Sequence, residues 1–153
     1  MKITGEVILP APRAAVFDRL KDAPFFASCV DGVKDLEEVD ATHYRAMLET
    51  SVAYMKFRFK VAVEVTRMEA PDLIEAKIEG TPLGIVGRMT ATSTTRLAEN
   101  GDGTRVAYEI DATLTGKLGS IGQPVLKSKA KDMEKTFVAR MCAAFGATTE
   151  PTR

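Results

Sequence analysis

Tryptophan is absent from this chain of 153 residues, histidine occurs once and cysteine only twice. One histidine, His43, cannot complete a structural zinc site with two remote cysteines, because tetrahedral closure needs a fourth ligand, so no metal is expected. The same scarcity leaves no Ser/Cys-His-acid set to assemble. Net charge is also lacking: 21 Lys and Arg balance 21 Asp and Glu. Without a global positive field to gather phosphates, nucleic acid is not expected as a partner. No apolar run approaches the roughly 20 residues that span a bilayer. The opening Met1-Lys2-Ile3-Thr4-Gly5-Glu6-Val7 interleaves polar residues where a secretory leader would be continuously apolar, so the expected location is the cytoplasm. Nucleophile elbows, phosphate loops and dinucleotide fingerprints are missing, since the glycines of 80–87 and 116–122 lack the spacing and helix context those motifs need.

What is present is the composition of an ordinary globular chain, 45% hydrophobic and 27% charged. A chain of this length buries enough surface to fold as one unit, here taken as residues 1–147 followed by a flexible tail, 148–153. With that much core, Cys29 and Cys142 read as buried, reduced hydrophobes.

Alternation over 2–9 predicts a strand that ends at Pro10. Pro12 opens a short helix over 12–21, and Pro24 separates it from a second over 24–29. Asp31-Gly32 returns the chain to extended structure. A meander then follows: strands over 33–39, 44–52, 54–68, 73–78, 85–98 and 104–116. Its turns fall at Asp40-Ala41-Thr42, Ala70-Pro71-Asp72 and Asn100-Gly101-Asp102-Gly103, with a glycine-rich break at Gly80–Gly84. The count is seven strands. Beyond Gly116–Gly122, Pro124 opens the longest element, a helix reaching about Phe145.

The strand faces divide cleanly. On 54–68, Met55, Phe57, Phe59, Val61, Val63 and Val65 share one side while Lys56, Arg58, Lys60 and Glu64 share the other. On 85–97 the inward series, including Met89, Ser93 and Thr95, is unusually small and flexible for a filled core. On the last strand Tyr108 and Leu114 face inward. On the terminal helix Leu126, Ala130, Met133, Phe137, Met141 and Phe145 form an apolar stripe. Its lysines read as a solvated face. A straight helix cannot touch a twisted sheet everywhere, so the space between them is either packed or hollow. If hollow, its lining is Met55, Phe57, Phe59, Met89, Ser93, Tyr108, Leu114, Met133, Phe137 and Met141, with Gly80, Gly84, Gly116 and Gly119 as a mobile rim. No catalytic residues are assigned. Ser93, Thr95 and Tyr108 could offer hydroxyls to a ligand or, in a small lyase or cyclase, to acid catalysis. His43, at a turn tip, reads as a surface residue.

The order strand, two short helices, six strands, long helix resembles the START/Bet v 1 plan. Local signatures narrow the likeness: Met1–Gly5 with Pro10-Ala11-Pro12 and Val16-Phe17, the Phe25–Gly32 turn, the Gly80, Gly84 and Gly87 series, Gly103-Thr104 with Tyr108, and Gly116–Gly119. Together they resemble the CoxG-like family, the G-subunit family of carbon monoxide dehydrogenase, over residues 1–145. Family members usually carry Pro-Gly where this chain has Asp31-Gly32, and some extend into a membrane-binding tail where this chain stops at Arg153. The resemblance implies an α+β helix-grip fold, in which a seven-stranded curved antiparallel sheet wraps one long helix around a hydrophobic cavity. It also implies association with a molybdenum hydroxylase of the carbon monoxide dehydrogenase type. The expected role is non-catalytic binding of a lipid or quinone-like molecule, with no resident cofactor and with peripheral contact at the inner membrane face. An assembly or maturation factor acting through protein contacts is the alternative.

Overall fold

The computed structural model describes residues 1–52 and 54–146. Seven strands form one antiparallel sheet in the order β1-β7-β6-β5-β4-β3-β2. They are β1 (Lys2–Leu9), β2 (Val33–Glu38), β3 (His43–Val52), β4 (Met55–Glu69), β5 (Leu73–Pro82), β6 (Gly87–Asn100) and β7 (Gly103–Gly116). Helices α1 (Arg13–Leu20) and α2 (Ala23–Cys29) link β1 to β2, and a 3-10 turn, Gly119–Ile121, leads into α3 (Gln123–Ala144). The seven-stranded α+β plan expected from the sequence is therefore present. The proposed tail, 148–153, lies outside the described residues.

Local chemistry explains the punctuation. Pro12 caps α1 in an extended conformation instead of joining it. Pro24 and Pro124 each sit in a first turn, where the missing N–H has no partner to lose. Register shifts between Val65 and Arg67 and between Lys34 and Glu37 interrupt the ladders, and such irregularities increase twist and curl a sheet. One expected break comes later than Gly80: β5 runs through Gly80 to Pro82, with Gly80 opposite Met89 on one side and Val61 on the other, and the chain turns only over 83–86. Gly80 is buried inside a strand and is not a rim residue.

Packing concentrates at two places. At one end of the sheet, Val7, Leu9, Val16, Phe17 and Val106 enclose the thiols of Cys29 and Cys142, joined by Met141 from α3. Thr104, fully buried, pins the corner by donating its Oγ1 hydrogen to the Ala11 carbonyl at 2.6 Å. At the opposite end, Val52, Phe57, Phe59 and Leu118 form a second cluster, with the Phe57 and Phe59 rings stacked at 6.0 Å. The two clusters share no residue.

Candidate ligand-binding site

The space between these clusters is where the sequence places a hollow. Cross-strand pairing aligns its floor in rows. One row runs Gly5, Tyr108, Thr95 and Ile74; the next Ile3, Ile110, Ser93, Ala76 and Val65; then Ala112, Ala91, Ile78 and Val63; then Leu114, Met89, Gly80, Val61 and Ala46. Glycine, alanine or serine occupies at least one position in every row. Small side chains on a concave face withhold the volume a filled core would need.

Burial follows the same pattern. On β4, Phe57 and Phe59 are buried while Val61, Val63 and Val65, on the same face, are only half-buried. Helix α3 buries Leu126 near its start and Met141 and Cys142 near its end, and nothing between. About 22 Å of helix separates those points at 1.5 Å per residue. Along that span Ala130, Met133, Glu134 and Phe137 are half-buried. A helix lying on a solid core would seal its central stripe; here the stripe stays half-buried between its two buried ends, with Phe137 packed toward the Met141 cluster.

The predicted residues fall into three groups. Met89, Ser93, Tyr108 and Met133 are half-buried and belong to the central stretch, while Leu114, also half-buried, packs against the cluster of Val52, Phe57, Phe59 and Leu118. Phe57, Phe59 and Met141 are packed into the end clusters and act as walls, while Phe137 packs its ring against Phe26 at 5.0 Å. Met55 is 52% exposed at the start of β4, outside the interior. Of the predicted rim, Gly84 (φ +84) is exposed with open space around it, and it borders an open depression of about 400 Å³ shared with Ile85, Val86 and Lys117. Gly116 and Gly119 are not free hinges: a Cβ on Gly116 would lie 2.7 Å from the Gly87 Cα, and one on Gly119 2.7 Å from the Leu114 carbonyl oxygen. A second open depression, about 350 Å³, lies at the far end by Pro12, Arg13 and Gly101. None of the predicted lining borders either depression; incomplete burial along strands and helix, without a chamber closed around it, is what the described residues show where the hollow is expected.

One polar contact crosses from sheet to helix in this region. The Tyr108 hydroxyl donates a short hydrogen bond to Glu134 Oε2. Gly5 makes it possible, for Tyr108 lies directly opposite on β7 and its ring crosses the bare Gly5 backbone to reach α3. Burial first, then the Glu134 carboxylate, push the phenol well above its ordinary range, so it keeps its proton. Such a group suits hydrogen-bond donation better than proton exchange in a lyase. Sequence reasoning missed Glu134, although a signal existed: it sits four residues after Ala130 and three before Phe137, within the apolar stripe.

The other titratable groups that depart from their ordinary pKa lie at the surface or in the packed cluster. His43 is exposed and paired to Asp40 at 2.8 Å, as a surface residue should be. Burial raises the thiol pKa of Cys29 and of Cys142. Among the described residues no group of three His, Cys, Asp or Glu side chains could hold a metal ion. No described helix is long and apolar enough to cross a membrane.

A curved antiparallel sheet wrapped around a long C-terminal helix, with two short helices after the first strand, is the helix-grip fold of the Bet v 1-like proteins. Residues 5–145 match the carbon monoxide dehydrogenase G-subunit (CoxG) family, and the chain belongs to it. A conserved protein from Geobacillus kaustophilus superposes with a TM-score of 0.86 at 24% identity, covering 95% of each chain. A protein from Chromobacterium violaceum gives 0.69 at 16% identity, over 94% of this chain and 96% of that one. The structure of Ara h 8.0201 gives 0.65 at 11%, over 95% and 98%. These likenesses carry the fold. No curated protein matches the chain in sequence. Family and fold together point to hydrophobic-ligand binding in an accessory role.

Proposed function

We propose that this protein binds an apolar small molecule, a lipid or an isoprenoid quinone, between sheet and helix, as an accessory protein to a molybdenum hydroxylase of the carbon monoxide dehydrogenase type. The supporting observation is the unsealed middle of α3, flanked by two packed clusters over a floor of small side chains. Removing apolar ligand surface from water there contributes on the order of 25 cal/mol per Å² before association costs are subtracted. The Tyr108 hydroxyl would serve as the polar marker: a quinone carbonyl can accept its hydrogen in place of Glu134. The hydroxylase partner rests on family membership.

The test is extraction of the purified protein followed by mass spectrometry, with titration of the delipidated protein by a short-chain isoprenoid naphthoquinone. Binding is expected, and Ser93→Phe, which fills the floor, should abolish it while the fold persists. Indifference to quinone and to lipid, together with stable co-elution of a molybdenum enzyme, would replace this reading with the assembly role. A turnover lost in Tyr108→Phe would replace it with a lyase.

A further inference from the structure

The four rows of facing side chains on the sheet hold a single ionisable group, Tyr108. Helix α3 brings a second to meet it. Of the two acidic residues on that helix, Asp132 is exposed, whereas Glu134 is half-buried in the apolar stripe with Ala130 and Phe137. Withdrawing a carboxylate from water is costly unless donors replace the lost hydration. Tyr108 supplies one donor, to Oε2. Among the described residues Oε1 accepts no hydrogen bond and the carboxylate makes no ion pair, although Lys131 and Lys135 flank it in the chain.

Joining helix to sheet does not itself call for a carboxylate, because apolar contacts do the same work at both ends of α3 and avoid the cost of desolvating a charge. What a carboxylate adds is an acceptor-only group with about four lone-pair sites, of which the tyrosine occupies one.

We propose that Glu134 reads the head group of the apolar ligand by accepting, at Oε1, a hydrogen bond from a ligand hydroxyl, so that the reduced, dihydroxy form of a quinone-like molecule is held in preference to the oxidised form. This selectivity rests on the ligand binding proposed above. An oxidised head group presents only carbonyl acceptors. It can take the Tyr108 hydrogen by displacing Glu134, which leaves a half-buried carboxylate without its donor. If Glu134 stays, acceptor faces acceptor. A hydroxyl head group meets neither obstacle, since Oε1 accepts from it while Tyr108 remains on Oε2. Thr95, opposite Tyr108 in the β6–β7 register, and Ser93 on the same face also carry hydroxyls, but a hydroxyl both donates and accepts and so serves either form alike. Discrimination therefore falls to the carboxylate.

Anaerobic titration of the delipidated full chain tests this, using one short-chain isoprenoid naphthoquinone in its oxidised form and in its dithionite-reduced form. The parent should hold the reduced form about 10- to 100-fold more tightly, the range expected when one form leaves a buried polar group unpaired. A tenfold difference also raises the two-electron midpoint potential of the bound molecule by about 30 mV, which is an independent readout. In Glu134→Gln the amide still accepts from Tyr108 and gains hydrogens to offer a carbonyl, so the preference should vanish while the circular dichroism stays that of the parent. Farnesol, an isoprenoid alcohol with the same donor and no redox chemistry, separates two sources of the hydroxyl: binding weaker than that of the reduced naphthoquinone assigns a quinol, tighter binding an alcohol, and dependence on Glu134 in either case supports the proposal. Equal affinity of the parent for both redox forms, preference for the oxidised one, or a preference that persists in Glu134→Gln overturns the proposal and leaves ligand binding standing. Failure of the parent to bind either form or farnesol overturns both.

Discussion

A methyl group on Gly5 is the sharpest probe of how sheet and helix are joined. The Cβ of Gly5→Ala would overlap the Tyr108 ring and hydroxyl and come within 2.7 Å of Glu134 Oε2. Backbone pairing holds β1 to β7 along its whole length, so the tyrosine has to move. Doing so breaks its hydrogen bond to a carboxylate, worth about 1.5–3 kcal/mol. Alanine recovers about 0.5–1 kcal/mol over glycine in a strand. The net loss is about 0.5–2.5 kcal/mol, seen as a fall in Tm of roughly 1–10 °C for a chain of this size. Urea denaturation measures it directly. In a Tyr108→Ala background the same substitution should be neutral or slightly stabilising, because the obstacle is gone. Wild-type stability for Gly5→Ala, or an equal loss in both backgrounds, refutes the reasoning.

Other outcomes follow from the titratable groups. The unfolded phenol ionises near about pH 10 while folded Tyr108 keeps its proton above that. Stability should therefore fall as pH rises beyond about 10, and urea midpoints of Tyr108→Phe should lack that component. Hydrogen bonding to Asp40 raises the His43 pKa above 6.5, so its contribution is present at low pH and lost as pH rises through the folded value; NMR titration should show the elevation, and Asp40→Asn should remove it. Cys29 and Cys142, each 1% exposed with raised pKa, should resist a thiol reagent in the native protein and react together on denaturation.

The strands were legible because period-two alternation is local: Met55 to Val65 against Lys56 to Glu64 marks β4 without any partner strand. The long helix was legible from its stripe and Pro124. Gly80 was misread because glycine's permissiveness signals a turn in isolation, whereas here its missing side chain makes room for Met89. Glycines at 116 and 119 looked like hinges, and only tertiary structure shows them to be points of close approach, Gly116 against Gly87 across the β6–β7 register and Gly119 against the Leu114 carbonyl. The small side chains of Ser93 and Ala91 stand out in the sequence, whereas the packing of Phe57, Phe59 and Met141 into end clusters does not. Met141 joins the packed cluster because α1 and α2 fold over it, a contact between residues more than a hundred positions apart. The Tyr108–Glu134 bond is non-local in the same way and depends on a third residue, Gly5, on another strand.

A helix packed firmly at its two ends, and tied to the sheet between them by one polar contact, has a consequence for how such a scaffold changes over time. Cohesion resides mainly in the terminal clusters, so exchanging side chains along the intervening stretch, apart from Gly5, Tyr108 and Glu134, costs little of it. Preference for a guest's apolar body and structural integrity are thereby assigned to different residues, and the former can drift while the latter stays put.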